Sequence, residues 1–247
     1  MRSAGRRSRP SGASAGRRRP ASGMLRIDLH CHTSVSRDSS ISPEMLPARC
    51  RARGIGVQAI TDHNEIRGAL AVRSQVLAAG DDLVVIVGEE VTTREGEIIG
   101  LFLQERIEPG LSPEETVARI KAQGGLVLLP HGFDRLKRSS LRPEARERIA
   151  GSIDIVETFN ARVSRRHWNR AAAVWAEMHR LPMSAGSDAH TPADIGSAWV
   201  EVPAQPIRGP EDLLRALRQG VAMGEWWHPV VTLTHRAWHR ILRRVRR

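Results

Sequence analysis

The stretch LRIDLHCHT, Leu25 to Thr33, runs from an alternating apolar segment straight into two histidines spaced two residues apart. In an extended chain residues i and i+2 project to the same side, so His30 and His32 aim two imidazoles at one point while Cys31 faces away. Strands that end in polar clusters are the signature of a β/α barrel mouth, because there the carboxyl ends of the strands form the rim of the site. Working outward, the same arrangement recurs. GVQAIT (56–61) runs out in Asp62-His63, LVVIVGEE (83–90) in Glu89-Glu90, GLVLLPH (125–131) in His131, and PMSAGSD (182–188) in Asp188-Ala189-His190. EIIGLFL (97–103) and IDIVETF (153–159) bring the strand candidates to seven.

Several of these runs are apolar on consecutive positions, as parallel strands covered on both faces should be. Helices are expected to open at Ser42-Pro43-Glu44, Ser112-Pro113-Glu114-Glu115 and Gly209-Pro210-Glu211, where proline in the first turn and nearby acids suit a helix amino end. A further helix, from about 164 to 179, carries Trp168 and Trp175 one heptad apart for packing. With no internal repeat and no interior linker, the expectation is a single α/β domain over residues 24–234.

Charge locates the parts that lie outside that domain. The formal charge is +11, but residues 1–23 hold seven arginines and no acid, and 235–247 hold six arginines and no acid. Removing those thirteen charges leaves 24–234 at −2, so net charge implies no basic groove across the body. The Ser/Gly/Arg/Pro-rich 1–23 reads as a disordered extension. The 235–247 stretch reads as a basic helix or tail, with Trp238, Ile241, Leu242 and Val245 on one helical face. Two cysteines cannot build a disulfide framework, and no apolar run of export-signal or membrane-spanning length occurs, so a cytoplasmic location is expected.

Five histidines and several acids at consecutive strand ends suit borderline divalent ions such as Zn, Mn or Fe, and more than four candidate ligands imply more than one ion. The ordered motifs DLHCHT with Asp38 downstream, ITDHN, GEEVTT, LLPHGFDR and AGSDAHT resemble the polymerase and histidinol phosphatase (PHP) superfamily. That resemblance covers roughly residues 25–203. It implies a distorted seven-stranded (β/α) barrel holding two or three divalent ions and cleaving phosphate esters. The metal ligands it implies are His30, His32, Asp38, His63, Glu90, His131, Asp188 and His190. Asp62, His63 and His190 are the catalytic candidates, with Asp62 orienting a ligand or accepting a proton. Arg135 and Arg162 are candidates for gripping substrate.

In one respect the sequence departs from that family. Trinuclear members carry a further His or Cys near the end of the sixth strand, where this chain has Glu157-Thr158-Phe159-Asn160, so two ions and three both remain open. His167, His179, His228, His235 and His239 match no motif and are read as structural or exposed. The leading functional expectation is hydrolysis of a small phosphorylated metabolite or nucleotide. The alternatives are a nuclease whose arginine-rich ends hold the nucleic-acid backbone, and a metal-stabilised binding module without catalysis.

Overall fold

The computed structural model of the chain describes residues 23–227. The expectations for the arginine-rich extension before Gly23 and for the basic 235–247 segment lie outside them. Each anticipated strand is present: β1 Met24–Asp28, β2 Val57–Ile60, β3 Val84–Thr93, β4 Gly96–Leu101, β5 Leu126–Leu129, β6 Ile155–Asn160 and β7 Met183–Gly186. Helices α1 Leu46–Arg53, α2 Arg67–Ala79, α3 Pro113–Ala122, α4 Pro143–Ile149 and α5 His167–Met178 alternate with them. Pro113 and Pro210 open helices as expected, whereas Pro43 opens a 3-10 turn, Pro43–Met45, that leads into α1. At α3, Ser112 Oγ accepts from Glu115 N at 3.2 Å and Glu115 Oε2 accepts from Ser112 N at 2.9 Å, which satisfies two otherwise orphaned donors.

The strand count departs from seven. Two further strands, β8 Ala198–Pro203 and β9 Val221–Gly224, flank α6 Pro210–Leu217, and among the described residues the sheet runs β7-β6-β5-β4-β3-β2-β1-β8-β9. β1 pairs antiparallel with β8 from Met24, facing Pro203, to Ile27, facing Val200. Beyond Asp28 the chain turns instead to the β7 segment. Leu29 N donates to Ala185 O at 3.2 Å, Asp188 N to His30 O at 2.8 Å and His32 N to Ala189 O at 3.0 Å. Strands β1 to β7 are thereby brought round into a nearly closed barrel, with β8 and β9 as an antiparallel extension.

A second departure concerns direction. β4 lies antiparallel to both β3 and β5, whereas the β1-β2-β3 and β5-β6-β7 pairings are parallel. The cause is local. Only Arg94 and Glu95 separate β3 from β4, and two residues make a hairpin where a parallel crossover needs a dozen or more. Gly96, at φ 125°, completes the turn.

Alternation along the strands buries both faces. Ile86, Ile99, Leu128 and Ile155 form one buried cluster with Val200 and Val202 of β8 and Leu213 and Leu217 of α6. Val87, Ile98, Val127, Leu129 and Val156 pack outward against Leu46, Val72, Ile120 and Trp175 of the helices. Trp175 is buried as expected, whereas Trp168 is only half-buried and lies under the Arg135 guanidinium.

Gly96 has no room for a side chain. A Cβ there would meet Leu141 Cα at 2.5 Å and Ser140 O at 2.6 Å, both backbone atoms, on top of an unfavourable positive φ. Gly96→Ala is expected to cost about 3 kcal/mol of stability, read as a lowered midpoint in thermal or denaturant unfolding. An unchanged midpoint would show that the hairpin is not under this constraint.

Candidate metal centre

The strand ends converge on a single carboxylate. Glu90, on β3 and 1% exposed, places Oε1 3.5 Å from His30 Nε2 and 3.0 Å from His131 Nε2. Its Oε2 lies 3.4 Å from His32 Nε2 and 3.0 Å from His63 Nδ1. His30 and His32 face each other across 3.1 Å between their Nε2 atoms, and Asp188 Oδ1 lies 3.8 Å and 3.5 Å from those same nitrogens. At the outer lip Asp38 reaches His190 Nε2 at 3.0 Å and His63 Nε2 at 3.7 Å.

Ring orientation is fixed from behind. His30 Nδ1 lies 3.0 Å from Glu157 Oε1 and His190 Nδ1 2.8 Å from the Asp188 carbonyl. The carboxylate contact of His30 calls for a protonated Nδ1 and turns its Nε2 inward, whereas His190 Nδ1 meets both the Asp188 carbonyl and the donor-only guanidinium of Arg162. Glu157 Oε2 also accepts from His131 N at 2.7 Å and from Asn160 Nδ2 at 3.0 Å, so one buried carboxylate registers three of the strand ends. His131 at φ 27° and Asp188 at φ 49° occupy the left-handed region, strain that is tolerated where surrounding contacts over-determine the conformation.

The donor set fits divalent cations. His30-His32-Asp188, His30-Glu90-His131 and His32-His63-His190 each bring donor atoms within 4.8 Å of one another. Imidazole mixed with carboxylate is chemistry suited to borderline metals. The electrostatics show the same demand for positive charge. Burial would push Glu90 up, but His30 and His63 outweigh it and hold it well below the usual carboxylate range. Burial likewise opposes protonation of His63, yet Glu90, Asp38 and Glu97 raise it to about 11. His32, His131 and His190 are held below their ordinary value, chiefly by burial, and so offer neutral nitrogens.

All eight expected ligand positions thus meet at one place, and Arg162 joins them, donating from a terminal nitrogen to the Asp188 carbonyl at 2.8 Å and contacting His190 Nδ1. Two expectations sit elsewhere. Asp62 accepts from Thr33 N at 2.7 Å, Thr33 Oγ1 at 2.6 Å and Ser36 Oγ at 2.7 Å, and that Ser36 Oγ lies 3.4 Å from His32 Nδ1, so Asp62 braces the loop behind this ligand and does not line the cavity. Arg135 is exposed over Trp168 and does not line the cavity. Glu89 points away, as alternation requires, accepting from Ile107 N at 2.8 Å.

Two residues were not anticipated. Lys137 sits 2.7 Å from Asp188 Oδ2, and Glu97 approaches both His63 and His131 at 3.7 Å; both line a cavity of about 250 Å³ with Asp38, His63, Glu90 and His190. Glu97 is pushed up to about 8 by burial and by Glu90. The sequence signal for Glu97 was the two-residue turn before β4. For Lys137, within the irregular loop after β5, no periodicity pointed inward.

A near-closed β/α barrel whose strand ends and adjoining loops gather five imidazoles and four carboxylates around a small cavity defines a metal-dependent hydrolase. The chain belongs to the PHP domain family, whose profile matches residues 28–181; a PHP-associated profile matches 166–222. An uncharacterized protein of Methanocaldococcus jannaschii is 35% identical over 193 residues, covering 76% of this chain and 75% of its own. A 5'-3' exoribonuclease of Salmonella typhimurium is 37% identical over 78 residues, covering 30% of this chain and 26% of its own. Among solved structures, a two-domain protein from Bacteroides vulgatus containing a predicted PHP-like metal-dependent phosphoesterase superposes with a TM-score of 0.65 at 19% identity, covering 86% of this chain and 70% of its own. No helix among the described residues is long and apolar enough to cross a membrane.

His30 and His63 are both raised, so at neutral pH a proton must leave each when it ligates an ion. Divalent-ion affinity is therefore expected to rise with pH, about tenfold per pH unit for each proton displaced, with protons released on binding. Chelator-competition titrations between pH 6 and pH 8 check this; an affinity independent of pH would contradict the electrostatics described.

Proposed function

We propose that the chain hydrolyses the phosphate ester of a small phosphorylated metabolite or nucleotide, using two or three ions drawn from Zn, Mn and Fe. The observation that carries this is the small cavity in which the donor groups share a wall with Lys137 and Arg162. About 250 Å³ suits a phosphoryl group with a modest substituent. When bound, the ions supply positive charge for the phosphate oxygens and a nucleophile at neutral pH.

The protein's own residues account for the remainder. His30, His32 and Asp188 would hold one ion, Glu90 and His131 a second, and Asp38, His63 and His190 a third. Glu157 keeps His30 in the tautomer that leaves Nε2 free. Arg162 and Lys137 present fixed positive groups to the oxygens of an incoming phosphate, Arg162 by a planar fork and Lys137 as a point charge. Both are tethered to Asp188, so they are ordered before substrate arrives.

A nuclease reading has its own support in the exoribonuclease similarity and in an open groove of about 510 Å³ beside Asp38 and His63 that Arg37, Arg67 and Arg106 line. Assaying phosphomonoesters, mononucleotides and short oligonucleotides at several salt concentrations separates the two. The small-substrate reading expects the highest kcat/KM on a phosphomonoester or mononucleotide, with weak salt dependence. Turnover confined to oligonucleotides and falling steeply with salt would favour the nuclease.

On the best substrate, His190→Ala is expected to lower kcat at least about 100-fold with the fold intact, because an inward-facing imidazole is lost. His179 stacks on Trp175 at the end of α5, outside the cavity, and His179→Ala should stay within about threefold of the parent. Equal losses in the two variants, measured alongside metal content and thermal unfolding, would sink the assignment.

A further inference from the structure

We infer that Glu97 is a metal ligand of this site, supplying a carboxylate beside Glu90 to a position flanked by His63 and His131. The inference rests on the metal-dependent reading of the same centre and goes beyond the ligand set that the strand-end motifs imply.

β4 runs against its neighbours, so its first residues, not its last, lie at the mouth of the barrel. Glu97, second in β4, pairs with Thr92 across the hairpin, beyond the Glu90–Ile99 pair and toward the cavity. Its two oxygens then reach different neighbours. Oε1 lies 3.7 Å from His63 Nδ1 and Oε2 3.7 Å from His131 Nε2. Donor atoms of His63, Glu90 and Glu97 fall within 4.8 Å of one another, the same spacing as the three groups built from motif residues. The side chain is only 9% exposed, and that exposure faces the cavity.

Asn160, at the end of β6, stands where the sequence departs from the family's further ligand. Its amide nitrogen is already directed at Glu157 Oε2, at 3.0 Å, and at Asp188 Oδ2, at 3.4 Å, and its Oδ1 accepts from Arg162 N at 2.8 Å. Asn160 therefore has its amide oxygen engaged by Arg162 N, while Glu97, held by Ser139, still turns its carboxylate to the cavity. A buried carboxylate pair is relieved by a proton or by a cation between its members, and here the His131 imidazole stands at its edge as a further donor for a cation. Two carboxylates with imidazole suit an oxygen-preferring divalent ion such as Mn²⁺ or Fe²⁺ better than an all-imidazole corner would.

The test uses the full chain with Glu97→Gln, which keeps shape and removes charge, and Glu97→Asp, which keeps charge and shortens reach. Each is stripped of metal, titrated with Mn²⁺ against a chelator, analysed for bound metal, and unfolded thermally with and without Mn²⁺. The expected result is that Glu97→Gln either loses one ion per chain or binds it at least tenfold more weakly. Its Mn²⁺-dependent rise in Tm should be smaller than the parent's, with the metal-free Tm unchanged, and Glu97→Asp should fall between the two. If Glu97→Gln does not fold, weaker Mn²⁺ binding by a folded Glu97→Asp supports the assignment and parental binding by it opposes it. A folded Glu97→Gln with the parent's stoichiometry and affinity overturns the assignment alone. A parent that takes up no ion overturns the metal-dependent reading, and this assignment with it.

Discussion

The contact on which the rest of the structure depends is the burial of the Glu90 carboxylate among four imidazoles. An isolated charge at 1% exposure would be prohibitively costly, so the site is stable only where positive charge is supplied in compensation. Without ions, protons on His30 and His63 and the Lys137 ammonium supply it. With ions, those protons leave. The barrel architecture follows from this requirement, because only convergent strand ends bring ligands separated by more than a hundred residues within a few ångströms of one carboxylate.

Three further buried carboxylates keep that arrangement in place without entering the cavity. Asp28 accepts from Ser187 Oγ at 2.6 Å and Ser187 N at 3.0 Å, tying β1 to the segment that carries Asp188 and His190. Burial leaves Asp28 raised to about 6 in spite of those donors. Asp62 fixes the loop after His32 through Thr33 and Ser36, and Glu157 links β6 to His30 and His131. Each pins a loop where left-handed or irregular backbone would otherwise relax. Charged-acceptor hydrogen bonds, stronger than neutral ones, are suited to that purpose.

How much of this could be read in the sequence is a question of which signals are local. The spacing of His30 and His32, the outward turn of Cys31, and the choice of Glu90 over Glu89 all follow from two-residue periodicity, and the structure has Cys31 in the outer core and Glu89 directed to Ile107. Arg162 and Arg135 looked alike in sequence, each just past a strand. They separated only in space, because the first is drawn in by Asp188 while the second stacks on Trp168. Strands β8 and β9 escaped because AWVEVP carries no polar terminus and VAMG is short and largely exposed, so neither resembles a strand covered on both faces.

Direction was the feature hardest to read and the one with the most chemical consequence. A parallel β4 would have placed Glu97 at the end of the barrel remote from the ligands, a long way from His131. The two-residue turn at Arg94-Glu95 reverses it, and a strand's first residue pair acquires the position its neighbours give to their last. The same logic governs how substrate is attracted. Residues 24–234 carry a net charge of −2, so the body exerts no long-range pull on a phosphate. Within the cavity, Lys137 and Arg162 act over a few ångströms, where screening by salt is weak. A centre that draws its substrate at short range discriminates by fit to the cavity wall, and the residues that shape that wall, Glu97 and Lys137 among them, are those the motifs do not contain.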